Sequence, residues 1–313
     1  MHSEICELLH ITYPVFQGGM AWIADGRLAA AVSEGGGLGI IAAGNAPAEY
    51  VREQIRIART LTQKPFGVNI MLLSPFADKV ASVVAEESVP VVTTGAGNPA
   101  KYMDLWNGRN IHVIPVVASA SMAKLMTRLG AAALIAEGGE SGGHIGELTT
   151  MTLVPQVCDA TNLPVVAAGG IADGRGFAAA VMLGAKGIQM GTRFLCAEEC
   201  TIHPVYREKI LKAGERCTMV TGKRLGHPVR SLKSPFARDY EKAEFGGVSD
   251  ECLEEMGTGA LRLAVQKGDS QCGCFLAGQI AYMVTKVQPA AEIIQEVVSG
   301  AENCLKGAAA WVR

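Results

Sequence analysis

Eight short apolar runs, alternating with stretches of helical periodicity, constrain this 313-residue chain more than any other feature. They are Pro14–Gln17, Leu38–Ile41, Phe66–Ile70, Val89–Thr93, Ile111–Val117, Leu134–Ala136, Val165–Ala168 and Gly187–Met190. Each is too short for a helix and apolar on both faces, the pattern of strands covered on both sides. Between them, apolar residues recur at helical spacing over 24–33, 48–61, 75–86, 99–106, 121–129, 152–160 and 176–183, with Asp25 and Asp173 placed as N-caps. This alternation predicts an α/β fold with a parallel sheet. Eight units, and no dinucleotide fingerprint after the first strand, favour closure into a TIM (β/α)8 barrel over an open doubly wound sheet. The eighth helix is delayed. From about Cys196 to Cys274 the pattern is irregular and charge-rich, and only 290–305 resumes a long amphipathic helix. The expected organisation is a barrel made of 1–195 and 275–313, with a small inserted domain at 196–274.

Composition excludes several classes. Apolar residues make up 49% and charged residues 19%, which argues against disorder. A net charge of −2 does not suit a chain that binds nucleic acid over its whole surface. No apolar run is long enough for a bilayer, and the polar start Met1-His-Ser-Glu-Ile-Cys lacks a signal-peptide pattern. Nine scattered cysteines, with no paired Cys-x-x-Cys and no His-Glu-x-x-His, predict reduced thiols in a cytoplasmic protein and no transition metal.

In a parallel barrel, ligands bind at the C-terminal ends of the strands. Those ends read Gly18-Gly19-Met20, Asn69, Thr94-Gly95, Glu137 to His144, Gly169-Gly170 and Gly191-Thr192. Glycines and small polar groups dominate, which suits a large flat ligand contacted by backbone and amides better than a hydrolytic site. Glu137-Gly-Gly-Glu-Ser-Gly-Gly-His144-Ile-Gly146 stands out, because half of it is glycine and it presents one imidazole. It is either a site or a tight turn whose histidine caps a carbonyl. Gly169-Gly170 opens a helix and Gly191-Thr192 follows the eighth strand, the positions of a barrel phosphate site; the alternative is a plain strand-to-helix turn. Gly95-Ala-Gly97-Asn-Pro-Ala100 fits Gly-x-Gly-x-x-Ala but has no acidic residue about twenty positions on. Gly35-Gly-Gly-Leu-Gly39 is not a P-loop, since no Gly-Lys-Ser/Thr closes it.

Several segments together carry a family resemblance: Phe16-Gln-Gly-Gly-Met-Ala-Trp22, Val68-Asn-Ile-Met-Leu-Leu-Ser-Pro75, Thr93-Thr-Gly-Ala-Gly-Asn-Pro99 and the His144 loop. Ala167-Ala-Gly-Gly-Ile-Ala-Asp173, Gly191-Thr-Arg193 and Ala277-Gly-Gln279 add to it. The set resembles the FMN-dependent enoyl-acyl-carrier-protein reductases of type II, the FabK family, within the nitronate monooxygenase-like superfamily. Nitronate monooxygenases share the Gly-Gly-His and Gly-Gly elements but typically carry Gln where this chain has Glu137, and Ser141 stands where relatives often have Ala.

The resemblance implies an FMN-binding barrel with phosphate contacts at Gly169, Gly170, Gly191 and Thr192. It implies ring and ribityl contacts at Gly19, Met20, Asn69, Glu137 and Gln189, with Gly143 beside them and His144 as the catalytic residue. NAD(P)H would be the co-substrate and a trans-2-enoyl-acyl-carrier-protein the substrate, in a protein that is expected to be a homodimer and to bind neither nucleic acid nor membrane. The rival is oxidation of alkyl nitronates. Finally, nine basic residues between Val205 and Arg238 face only Glu208 and Glu215, a local net of +7. This is either solvated surface or a patch that attracts anionic substrates.

Overall fold

The computed structural model describes residues 1–312. Its main sheet contains β1 (Val15–Gln17), β2 (Gly39–Ala42), β3 (Phe66–Met71), β4 (Val91–Gly95), β5 (His112–Val117) and β6 (Leu134–Glu137). A two-residue strand, β7 (Gly143–His144), belongs elsewhere, and β8 (Val165–Ala168) and β9 (Gly187–Met190) complete the set. All neighbours are parallel in the order β1-β9-β8-β6-β5-β4-β3-β2. A parallel bridge between Phe16 and Leu38 joins the two ends, with Gln17 N donating to Leu38 O at 3.0 Å. The sheet is a closed eight-stranded barrel.

Helices α2 (Gly26–Glu34), α3 (Ala48–Leu61), α4 (Ala77–Glu86), α5 (Ala100–Asn107) and α6 (Ala120–Arg128) follow the first five strands. The series continues with α7 (Thr150–Ala160) and α8 (Gly174–Met182). Asp25 accepts from Arg27 N and Leu28 N, and Asp173 from Arg175 N, so both expected caps form; each is worth about 1 kcal/mol. Helix α2 lies so close to β2 that a Cβ on Gly39 would sit 1.8 Å from Ala29 O, a position that admits only glycine.

One element escapes the sequence pattern. Helix α1 (Glu4–Leu9) is six residues long, too short to register as a period. Its buried Ile5, Cys6 and Leu9 pack against Phe16, Leu38, Ile40, Val91, Ile114, Ile135 and Val166 inside the barrel. Since these residues alternate along their strands, the packed interior is the inward face of the sheet, and α1 seals its N-terminal end.

Beyond β9, a 3-10 turn at Thr192–Cys196 leads into α9 (Pro204–Leu211), the hairpin β10 (Thr218–Thr221) and β11 (Val229–Leu232), then α10 (Pro235–Phe245), α11 (Asp250–Gly257) and α12 (Ala260–Lys267). The long α13 (Ala290–Ala308) closes the ring, packing on α8 where Gly174 meets Gly300. The hairpin recruits β7: Val229 pairs with His144 and Arg230 with Gly143, giving an antiparallel sheet β10-β11-β7. The tip of the glycine-rich loop is thus a strand of the second sheet rather than a free turn.

Candidate active site

All the residues expected to hold the cofactor, together with His144, line one cavity of about 420 Å³ at the C-terminal mouth of the barrel; Thr94, Gly138 and Gly139 do not. From β1 come Gly19 and Met20, from β3 Asn69, and from β6 Glu137. The loop beyond β6 brings Gly143 and His144, the turn after β8 brings Gly169 and Gly170, and β9 with its turn brings Gln189, Gly191 and Thr192. The Gly95-Ala96 turn borders the same space.

Local packing explains the glycines. A Cβ on Gly19 would fall 2.3 Å from Asn69 Cβ, so the β1 turn must pass bare over the asparagine, whose Nδ2 donates to Thr93 Oγ1 at 2.9 Å. Gly169 and Gly170 have φ of +90° and +71°, the left-handed region that favours glycine. Gly191 differs: its nearest neighbour is Met20 Sδ, 3.6 Å from a notional Cβ, so protein packing alone leaves room for a methyl group there. The backbone N–H groups of Gly170, Ile171, Gly191 and Thr192 donate to no protein acceptor. Four N–H groups without a protein acceptor on two turns are donors of the kind that could hold a phosphate.

The glycine-rich loop is braced from three sides. Glu140 accepts from Thr150 N at 2.9 and 3.0 Å and lies 2.9 Å from the Thr150 hydroxyl, which pins the loop to the N-terminus of α7. Gln279 N donates to Glu140 O at 2.9 Å. Arg230 donates through Nε (3.1 Å) and Nη2 (2.8 Å) to Gly139 O, and through Nη1 to Thr218 Oγ1 (3.1 Å). Sequence reasoning missed all three braces. Glu140 was legible as part of the loop but not as its anchor, and the role of Arg230 depends on the β11–β7 pairing, which leaves no one-dimensional signal.

Among the described residues the cavity holds three titratable side chains, Glu137, Glu140 and His144. The His144 ring is open to the mouth, yet desolvation by its surroundings and then the nearby His227 hold its pKa below the usual histidine value, which favours the neutral ring. Glu137 keeps some surface toward the cavity but is otherwise enclosed by protein; desolvation, opposed by the Ser141 hydroxyl, pushes its carboxyl up to about 7. Met71, Val116, Met122, Leu195, Leu276 and Ile280 give the wall an apolar stretch.

The family description named nitronate monooxygenase matches residues 2–81 and 73–300, almost the whole chain. The chain belongs to the nitronate monooxygenase family. Within that family of oxidoreductases its structure is similar to FabK from Thermotoga maritima, with a TM-score of 0.98, 49% identity and all of both chains covered. That is the resemblance read from the sequence. Among curated proteins, the chain is 38% identical over 241 residues to a 5-hydroxy-7a-methyl-1-oxo-octahydro-indene-4-carboxyl-CoA dehydrogenase of Rhodococcus jostii, covering 77% of this chain and 68% of that one. It is 31% identical to a probable nitronate monooxygenase of Staphylococcus saprophyticus, covering 97% and 99%.

Proposed function

We propose that the chain is an NAD(P)H-dependent, FMN-containing enoyl-acyl-carrier-protein reductase that saturates the trans-2 double bond during fatty acid elongation. The observation that carries this reading is the full-length match to FabK at 49% identity, with no part of either chain left over. The cavity agrees with it: four free N–H donors fit the single phosphate of FMN, and glycine-lined walls fit a flat ring. Residues 196–274 act as a small inserted domain whose sheet holds one rim of the mouth. Nine free thiols support a reducing cytoplasm as its location, and we take the working unit to be a homodimer.

When bound, FMN supplies the redox chemistry, passing a hydride equivalent from the nicotinamide to the β-carbon of the enoyl thioester. The chain's residues do the rest. The N–H groups of Gly170, Ile171, Gly191 and Thr192 hold the phosphate. Gly19, Met20, Asn69, Gln189 and Glu137 border the ring and ribityl chain, and Gly143 lets the loop approach closely. The apolar wall at Met122, Leu276 and Ile280 receives the acyl chain and excludes water. His144, neutral and at the mouth, donates an N–H hydrogen bond to the thioester oxygen as negative charge gathers there.

The purified protein should be yellow, release FMN on denaturation, and oxidise NAD(P)H in proportion to added crotonyl thioester. Oxygen uptake that depends on a nitroalkane, without thioester reduction, would instead assign nitronate oxidation. A side-by-side comparison of NADH with NADPH fixes the nucleotide.

A further inference from the structure

Reducing an enoyl thioester requires a proton at the α-carbon as well as a hydride at the β-carbon, and the cavity offers few groups to supply it. Glu140 is already engaged by the backbone and hydroxyl of Thr150. His144 sits on β7 at the outer rim and, with its pKa held down, favours the neutral ring. Glu137 differs from both. It ends β6, paired to Ala168 at the same level of β8, and so is fixed on the rigid barrel rather than on the loop. Val117 and Ala118 from the β5 side, and Ala168, Gly169 and Gly170 from the β8 side, bring no charge beside it. The guanidinium that braces the loop, Arg230 of β11, is bound to Gly139 O and has Glu140 as its charged partner. The Ser141 hydroxyl lies close enough to oppose the desolvation of Glu137 but makes no well-formed hydrogen bond, so it does not hold the carboxylate form.

We propose that Glu137 is the catalytic acid of this site. This assignment rests on the reading of the protein as an enoyl thioester reductase. Once the hydride equivalent drawn from NAD(P)H has bonded to the β-carbon, the electron pair of the resulting enolate forms a C–H bond at the α-carbon with the Glu137 proton. The O–H pair stays on the carboxylate, which regains a proton from solvent through the mouth. Each turnover consumes one NAD(P)H and one solvent proton, as the balance requires. Enclosure of Glu137 without a cation keeps its proton available near neutral pH. His144 then stabilises the enolate oxygen and does not deliver the proton, and the two roles separate on two elements.

Holoenzyme with pre-reduced flavin is mixed with crotonyl-CoA in a stopped-flow instrument across about pH 5.5 to 9, spanning the Glu137 titration. In the wild type, flavin reoxidation by the thioester should fall about tenfold per pH unit above about pH 7. In Glu137→Gln that limb should vanish and the rate should drop ~100-fold or more, with reduction by NAD(P)H much less affected. In deuterated water the wild-type product should carry one α-deuterium of single configuration, and the variant's residual product a mixture. Glu137→Asp should restore part of the rate together with a pH limb. Independently of turnover, flavin-free wild type should show the infrared band of a protonated carboxyl that bleaches through the same pH range and is absent from Glu137→Gln. An unchanged rate and limb in Glu137→Gln, or a limb that moves only with His144→Gln, overturns the assignment. Absence of thioester reduction by the wild type overturns the underlying reading instead.

Discussion

Glu137 makes a thermodynamic claim at the scale of one residue. Its carboxyl holds a proton more tightly in the folded chain, at about 7, than in the unfolded one, at 4.5. The stabilisation from that proton is therefore complete below pH 4.5 and lost as the pH rises to about 7. Above that, the enclosed carboxylate costs at most about 3 kcal/mol. Flavin-free Glu137→Gln should match the wild type in Tm near pH 5 and exceed it near pH 8; equal Tm at both would show that the carboxyl is solvated. The expectation at His144 is kinetic. His144→Ala should keep its FMN and lose about 100-fold in reoxidation by crotonyl thioester, through the missing oxyanion donor. Stopped-flow separation of the half-reactions reads this directly. Glu137 was legible as a strand-end residue and its neighbour Ser141 as an oddity, but no sequence pattern reports that charged partners are absent in space.

Among the elements, turns and pairings decide what the strands present. Gly170 at φ +71° is strained for any other residue and faces Glu140 within 3.5 Å of a notional Cβ, so Gly170→Val should yield colourless protein, measured as flavin absorbance per chain. Arg230→Met should release the Gly139 carbonyl and loosen the β7–β11 pair. Its expected signature is a KM for the enoyl thioester raised about tenfold with flavin content kept, since the phosphate turns lie on other elements. The barrel strands and helices were readable because each carries enough residues to show a period. Strand β8, β9 and helix α3 even begin and end where the pattern placed them. The β10–β11 hairpin carried no such signal. Its first strand is half-buried over Thr218, Met219 and Val220, without alternation, and its partner β7 is two residues long.

For the whole molecule, the basic stretch at 205–238 separates into two populations. Arg207 donates to Cys200 O at 2.7 Å, Arg224 to Glu244 O at 2.8 Å, and Arg230 to Gly139 O, so three of the nine charges are structural ties. Lys209 lies over the Phe275 ring and Lys212 pairs with Glu208, while Arg216, Lys223, Lys233 and Arg238 are exposed. A charge effect on anionic substrates is therefore to be sought at Lys223 and not at Arg224. Lys223→Glu should raise the KM for acyl-carrier protein at low salt, and the difference should fade as salt shortens the Debye length to ~10 Å at 0.1 M. Identical constants across the salt series would leave the patch as ordinary surface. The barrel was legible at this scale because eight units in a row admit few closures, whereas the pairing of β11 with β7 at the rim was not. That attachment, β7 held by β11, divides the active site by inheritance. The residues proposed to hold the cofactor belong to the barrel, whereas His144, proposed to meet the substrate, rides on a sheet whose other two strands come from 218–232. A change confined to that hairpin would therefore alter how the rim presents His144 while leaving the strand ends of the barrel as they are.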